Sequence, residues 1–495
     1  MDKEKFKRKL SVFLGISTIF AGLGLSGCKK DNDIPEDVLT LKWYIPNSEL
    51  EDLDAVLGEF NKKLYEKAGF KLELATIDGN YYEEKMKMNI SSGDEFDLWF
   101  VGYLNPYEKM VEADYLYDIT EMVAKSSIKD TMPEYVWEGA MIDGSIYAVP
   151  NYQVLFEQRA LNIGKDLAEK YDLDISKITK TEDIEPFLQK IKENEPDLYP
   201  FRINFHEQSF QDIEDDFFYE GINSCHIWID DNGELQCVPF YETEQYVEKI
   251  YKLREWYQKG YIRKDAALFG EDTGVVKDDE DFKNKMYAVS VNHYKPGGLY
   301  ENKRKYGIDI EEVIISKPYV CRNSMNSTMI GINKSSKHPE EAFKLIEIIN
   351  TDKELYNMLV FGLEGVHYEK IGKDRIHIKE DCDYVISAWK LGNQFNSYFI
   401  DDQSEDDWDL TKKLNDECKT SPFSGFYVNN ENIKRELIQL NKVKEKYYVM
   451  LTGAVAPETY WEEMVSEYKE AGIEKVCEEV KRQAQEFIDS KRKKK

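Results

Sequence analysis

Residues 39–45 (LTLKWYI), 50–68 (LEDLDAVLGEFNKKLYEKA), 71–77 (KLELATI), 81–90 (YYEEKMKMNI) and 96–101 (FDLWFV) follow one another with little between them. The first and third stretches alternate apolar and polar side chains, the period of a strand. The second repeats Leu53, Val56, Leu57, Phe60 and Leu64, which lie on one face of a helix. The fourth reads as another helix, stopped at Ser91-Ser92-Gly93. The fifth is a compact apolar run, which suits a parallel strand buried on both faces. The order β-α-β-α-β predicts an α/β sheet that binds ligands near the carboxyl ends of its strands.

Outward from this block the pattern continues. Asp143-Gly144 between apolar stretches of 140–149 predicts a hairpin. Helical spacing is read over 163–171, 181–194 and 246–259, and strands over 287–291 and 328–332. Pro339 opens a helix running to Ile349, and Thr351 with Glu354 forms a capping box for the next one. The last seventy or so residues read as helical throughout. One stripe is Ile433, Leu437, Leu440, Val443 and Tyr447; another is Ile473, Val476, Val480, Ala484 and Phe487.

The N-terminus reads as an export leader. Lys3, Lys5, Lys7, Arg8 and Lys9 precede an apolar stretch, 10–25, too short and too glycine-rich for a spanning helix. Leu25-Ser26-Gly27-Cys28 closes it and resembles the lipobox of bacterial lipoproteins. That resemblance implies a signal peptide over 1–27, an acylated Cys28 carrying chains such as palmitate, and a polar tether over 28–38. The protein would then be anchored to the cell membrane, not threaded through it. The net charge of −29 argues against nucleic acid as a partner. It also repels anionic headgroups, leaving the acyl chains to hold the protein at the membrane.

What remains after the leader is too long for one ordinary core, so two lobes are expected. None of the cysteines besides Cys28 forms a metal-type spacing. Cys225 and Cys237 flank the turn-like Asp230-Asp231-Asn232-Gly233; a hairpin disulfide and separate thiols are both open. There is no HExxH, GxSxG, P-loop or EF-hand loop, and no cofactor or metal is indicated. The acidic run Asp401, Asp402, Glu405, Asp406, Asp407 and Asp409 reads as a solvated loop. Asp94 and Asp97 read as structural carboxylates at a strand entry, not as a glycosidase pair.

Several blocks together resemble one family, the extracellular solute-binding lipoproteins of ABC importers (family 1), in the branch with a helical C-terminal region of the DUF3502 type. They are 91–98 (SSGDEFDL), 146–152 (IYAVPNY), 165–171 (KDLAEKY), 350–357 (NTDKELYN), 365–369 (GVHYE) and 471–476 (AGIEKV). The resemblance implies an α/β, two-lobed type II periplasmic-binding-protein fold with a helical C-terminal extension. Lobe 1 would comprise 39–151 and 310–360, and lobe 2 would comprise 152–309 and 361–495. It also implies a monomeric, non-enzymatic receptor that closes over a carbohydrate, most naturally an oligosaccharide, and presents it to ABC permease subunits.

A sugar cleft needs flat aromatic faces against C–H faces and planar polar groups that fork hydroxyl pairs. The loops expected to line it offer Tyr44, Tyr103, Asn151, Tyr152, Asn292, His293, Tyr294, Asn323 and Asn326, with Trp389, Asn393 and Gln394 from an aromatic-rich segment assigned to lobe 2. For a peptide or sugar-acid ligand, Arg159 and Arg202 could form a carboxylate clamp. An anchored polysaccharide-degrading enzyme would instead need two cleft carboxylates.

Overall fold

In the computed structural model, which describes residues 34–203, 220–268, 280–300, 303, 307–380, 382, 384 and 386–494, five strands form the first sheet. Their order is Lys71–Ile77, Thr40–Pro46, Leu98–Gly102, Thr328–Ile332 and Ala148–Pro150. The first three run parallel, and Thr328–Ile332 pairs antiparallel with both of its neighbours. Every residue of Leu98–Gly102 and of Thr328–Ile332 is buried, because both faces of the sheet are covered. On one face the helix Leu53–Ala68 inserts Val56, Phe60 and Leu64, joined by the helices Pro339–Thr351 and Lys353–Phe361. Tyr82, Met86, Tyr107 and Met110 pack on the other face. Each such buried side chain stabilises by roughly 1.5–3 kcal/mol. The predicted β-α-β-α-β block is therefore present, with no end shifted by more than three residues.

A second sheet runs in the order Ile310–Ile314, Arg159–Gly164, Tyr287–His293 and Tyr199–Arg202. The expected helix over 163–171 begins only at Lys165. Ile163 instead lies in the sheet interior, opposite both Val289 and Glu311. The boundary expected at residue 310 also falls one strand early. Ile310–Ile314 pairs antiparallel with Arg159–Gly164, so the return to the first sheet comes with Thr328–Ile332.

The departure expected near Phe361 comes later too. Gly362 turns the chain back with φ 79°, and Tyr368, Ile376, Tyr384, Ile386 and Tyr398 are buried in the same core as Leu41 and Trp43. These side chains cover the helices before them, and releasing them would expose apolar surface. From Phe423 on, the buried side chains belong to a separate core. In that core the three-stranded unit Glu220–Ile222, Cys225–Ile229 and Leu235–Pro239 packs against the C-terminal helices. Those helices are Lys434–Tyr447, Pro457–Glu470 and Ile473–Lys494, and both expected stripes face inward.

The disulfide joins Cys225 to Cys477, with Cα atoms 5.9 Å apart, not to Cys237. Register explains the choice. Cys225 lies opposite Pro239, and Cys237 lies opposite Ile227. The two hairpin cysteines are thus diagonal neighbours, about 7–8 Å apart at Cα, at the limit of what a disulfide spans. The cap expected at Thr351 moves to Asp352, whose carboxylate accepts from the Leu355 N–H at 3.0 Å. Thr351 Oγ1 donates backward to the Glu347 carbonyl. Cys28 and the leader lie outside the described residues. Among the described residues no helix is long and apolar enough to cross a membrane.

Candidate functional site

Several segments converge on a cavity of about 660 Å³. They include the first crossing between the sheets (Val154 to Arg159), the return (Tyr319 to Ser327), the hairpin around Cys225 with Phe240 and Tyr246 after it, His293, the end of the helix Lys434–Tyr447 and the helix Pro457–Glu470. The two crossings are tied together by the backbone. The N–H of Glu157 donates to the Tyr319 carbonyl at 2.7 Å, and the N–H of Tyr319 donates back at 2.9 Å. The volume lies within the range of small-molecule sites, about 300–1,000 Å³.

Aromatic rings and paired charges make up the wall. Tyr319, Phe240, Tyr246, Tyr447, Tyr448 and Tyr468 all line it. Glu157 stands between Arg159 (3.7 Å) and His293 (3.6 Å), and the His293 ring bonds the Phe156 carbonyl at 2.8 Å. Arg322 donates from its backbone to Glu220 and from its guanidinium to the Phe426 carbonyl, with Glu108 at 3.7 Å. Burial pushes the Tyr319 hydroxyl above its ordinary range, and Glu220 beside it adds to the effect. Burial also holds the His226 imidazole neutral, down to about 3, with Nδ1 2.9 Å from Thr243 Oγ1. Both arginines of the wall have carboxylates beside them, which with the aromatic rings leaves a site suited to a hydroxyl-rich ligand with apolar faces.

The residues read from the sequence fall into three groups. His293 and Asn323 line the cavity, and Asn326 is buried just behind it. Tyr103 and Trp389 meet at the mouth of the third strand. Their rings are 6.1 Å apart and both lie against Phe100. Asn151 fixes this pair by donating from Nδ2 to the Trp389 carbonyl at 3.0 Å. Tyr103 is 58% exposed, and its N–H donates to the carbonyl of Ser327, a cavity residue. Trp389 thus packs on the first sheet's side, not on lobe 2 as expected, because its segment never leaves that core.

Tyr152, Asn393 and Gln394 form the third group and are buried together. Tyr152 packs on Phe395 at 4.8 Å and accepts from the Gln394 N–H, while Asn393 accepts from the Phe395 N–H. Tyr44 stands apart, its hydroxyl donating to Asp94 at 2.8 Å. Asn292 donates to Ser290, and half-buried Tyr294 lies near Glu312. The expected arginine clamp does not assemble: Arg159 lines the cavity, whereas buried Arg202 stacks on Phe282 at 4.4 Å. Asp97 accepts from the Lys42 N–H and from Ser336, a structural role like that of Asp94. In the acidic run, Asp401 is engaged by Tyr300 and His377.

The sequence reading missed the hairpin and the C-terminal helices as cavity walls. Tyr447 was legible only as a member of a helical stripe, and Tyr448, His226 and Phe240 carried no local signal. Which face of a terminal helix meets a cleft is decided by tertiary packing.

The chain matches the family described as bacterial extracellular solute-binding proteins over residues 55–361, and a domain of unknown function, DUF3502, over residues 422–489. A carbohydrate ABC transporter substrate-binding protein of Streptococcus pneumoniae serotype 4 (strain ATCC BAA-334 / TIGR4) is 29% identical over 503 residues, covering 98% of this chain and 99% of its own. The crystal structure of the N-glycan transport solute-binding protein NgtS from Streptococcus pneumoniae superposes with a TM-score of 0.81 at 27% identity, covering 92% of this chain and 100% of that one. The structure of NgtS in complex with Man5GlcNAc gives 0.73 at 27% identity, covering 92% and 99%. The α/β architecture with a helical C-terminal region is the fold these proteins share, the two-lobed type II binding-protein fold. With its two sheets, paired crossings and family match over most of its length, the chain belongs to the bacterial extracellular solute-binding proteins.

Proposed function

We propose that this protein is the lipid-anchored receptor of an ABC importer, and that it captures an oligosaccharide of the mannose–N-acetylglucosamine type without chemically altering it. The observation that carries this reading is the near full-length likeness to NgtS, in a chain whose crossings frame an aromatic cavity. The lobes close over the sugar by bending at the paired crossings, and binding favours the closed form by its differential affinity for it. Cys28 carries the acyl anchor, and the receptor acts as a monomer outside the cell membrane, delivering its cargo to permease subunits.

The test is thermal unfolding of residues 29–495 against oligosaccharides, sugar acids and peptides. A sugar at about 100 times its Kd adds roughly 2.7 kcal/mol. A shift with mannose-containing glycans that are recovered intact supports the reading. A shift with peptides alone, or trimming of the glycan, refutes it. Mass spectrometry of the full-length protein from membranes tests the anchor: an acylated N-terminal Cys28 is expected.

A further inference from the structure

We infer that the C-terminal module is itself part of the ligand site, and that Lys444 and Tyr448 set how long an oligosaccharide the protein accepts. This rests on the proposed function. The module matched as a domain of unknown function spans residues 422–489, and its helix end contributes Lys444, Tyr447 and Tyr448 to the cavity wall.

Three features make this wall a built surface. First, it is rigidly held. The Cys225–Cys477 disulfide staples the hairpin to the last helix, and Phe240 packs edge-on against Tyr246 (4.7 Å) and Tyr468 (5.1 Å). Second, the turn after Tyr448 is fastened to the helix Glu244–Lys259. Arg254 donates to the Gly453 and Ala454 carbonyls at 3.0 and 3.2 Å. Gly453 sits so close that a Cβ there would stand 2.4 Å from the Leu253 carbonyl oxygen. Third, the start of the module is fixed to the return segment, where Arg322 donates to the Phe426 carbonyl at 2.8 Å.

The module therefore closes one side of the cavity between the return segment and the helix Glu244–Lys259. Tyr448 is half-buried and offers a ring to the cavity, while Lys444 is exposed with no ion-pair partner among the described residues. An aromatic face and a free ammonium fit a pyranose ring with its hydroxyl or acetamido oxygens. On this inference a short sugar is held by the crossings alone, and a longer one extends onto Tyr448 and Lys444.

The experiment titrates Man1GlcNAc and Man5GlcNAc into residues 29–495 by calorimetry. It compares the parent with Tyr448→Ala, Lys444→Ala and the control Tyr460→Ala, whose exposed side chain is not among the cavity residues. The inference expects Tyr448→Ala to weaken Man5GlcNAc about tenfold. Lys444→Ala should weaken it severalfold, both should affect Man1GlcNAc little, and the control should change nothing. Lys444→Ala lies at an exposed position, so it remains informative if Tyr448→Ala unfolds. A parent that binds Man5GlcNAc together with unaffected variants overturns this inference and leaves the proposed function standing. A parent that binds neither sugar overturns both.

Discussion

Gly102 and Ser327 approach so closely that a Cβ on Gly102 would stand 2.1 Å from the Ser327 carbonyl oxygen, and Gly102 holds φ at 142°. Only glycine meets both conditions. This contact seats the return segment on the end of the third strand, next to the cavity. Gly102→Ala should lower stability by about 2–4 kcal/mol and displace Ser327. Chemical denaturation measures the loss, and a variant as stable as the parent would contradict the packing described.

Tyr103 offers its ring to solvent beside Trp389. On the proposed function, Tyr103→Ala should weaken glycan binding about fivefold to tenfold. Its stability should fall by about 1 kcal/mol, the loss of the ring contacts with Phe100 and Trp389. Calorimetry and thermal unfolding of the same sample separate the two effects.

The Cys225–Cys477 bond closes a sequence separation of 252 residues. In the chain-entropy model a loop of this length stabilises by about 5 kcal/mol. Cys477→Ser should therefore lower Tm markedly. Non-reducing peptide mapping of the parent should recover the 225–477 link. Recovery of a 225–237 link would mean that the hairpin register is wrong.

Burial holds His226 neutral down to about 3, below its ordinary 6.5. Between those values the unfolded chain binds more protons than the native one, so stability is intact above about pH 6.5 and falls as the pH drops. His226→Gln should flatten the acid side of the stability profile, by on the order of 3 kcal/mol at pH 4 relative to the parent. Urea midpoints across the pH range check it; parallel parent and variant profiles would refute the buried neutral imidazole.

Glu312 has the opposite sign. Burial pushes its carboxyl up to about 7, so the native state binds the extra proton between about 4.5 and 7 and loses stability as the pH rises through that window. Glu312→Gln should stabilise by on the order of 1 kcal/mol at pH 8, after allowance for its partial exposure, and by nothing near pH 4.5. A pH-independent difference would point to packing alone.

How legible the protein was from its sequence depended on the range of the interactions involved. The first sheet was readable because a strand buried on both faces must be apolar throughout, as in Leu98–Gly102, and its covering helix must carry a stripe, as in Leu53–Ala68. Ile163 was misread because the strand Arg159–Gly164 runs directly into the helix Lys165–Lys170 with no loop between them. The segment from Tyr368 to Tyr398 was assigned to the wrong core because its strands are short and its aromatic residues fit either lobe. Of the residues read from strand ends and crossings, His293 lines the cavity, while Tyr103 and Asn151 gather with Trp389 at the end of the third strand. Tyr152, Asn393 and Gln394 have the right chemistry, but they are buried in the core, where Tyr152 packs on Phe395 and the Asn393 amide serves the backbone of Phe395 and Thr131. Tyr448 and His226 could not be found, since only the folded chain brings the C-terminal helices against the hairpin.

The most direct measurement is a calorimetric titration of Man5GlcNAc into residues 29–495, with the sugar analysed afterwards by mass spectrometry. A saturable 1:1 isotherm with the glycan recovered at its original mass is the predicted result. Absence of binding, or a glycan shortened after incubation, would contradict the transport-receptor account.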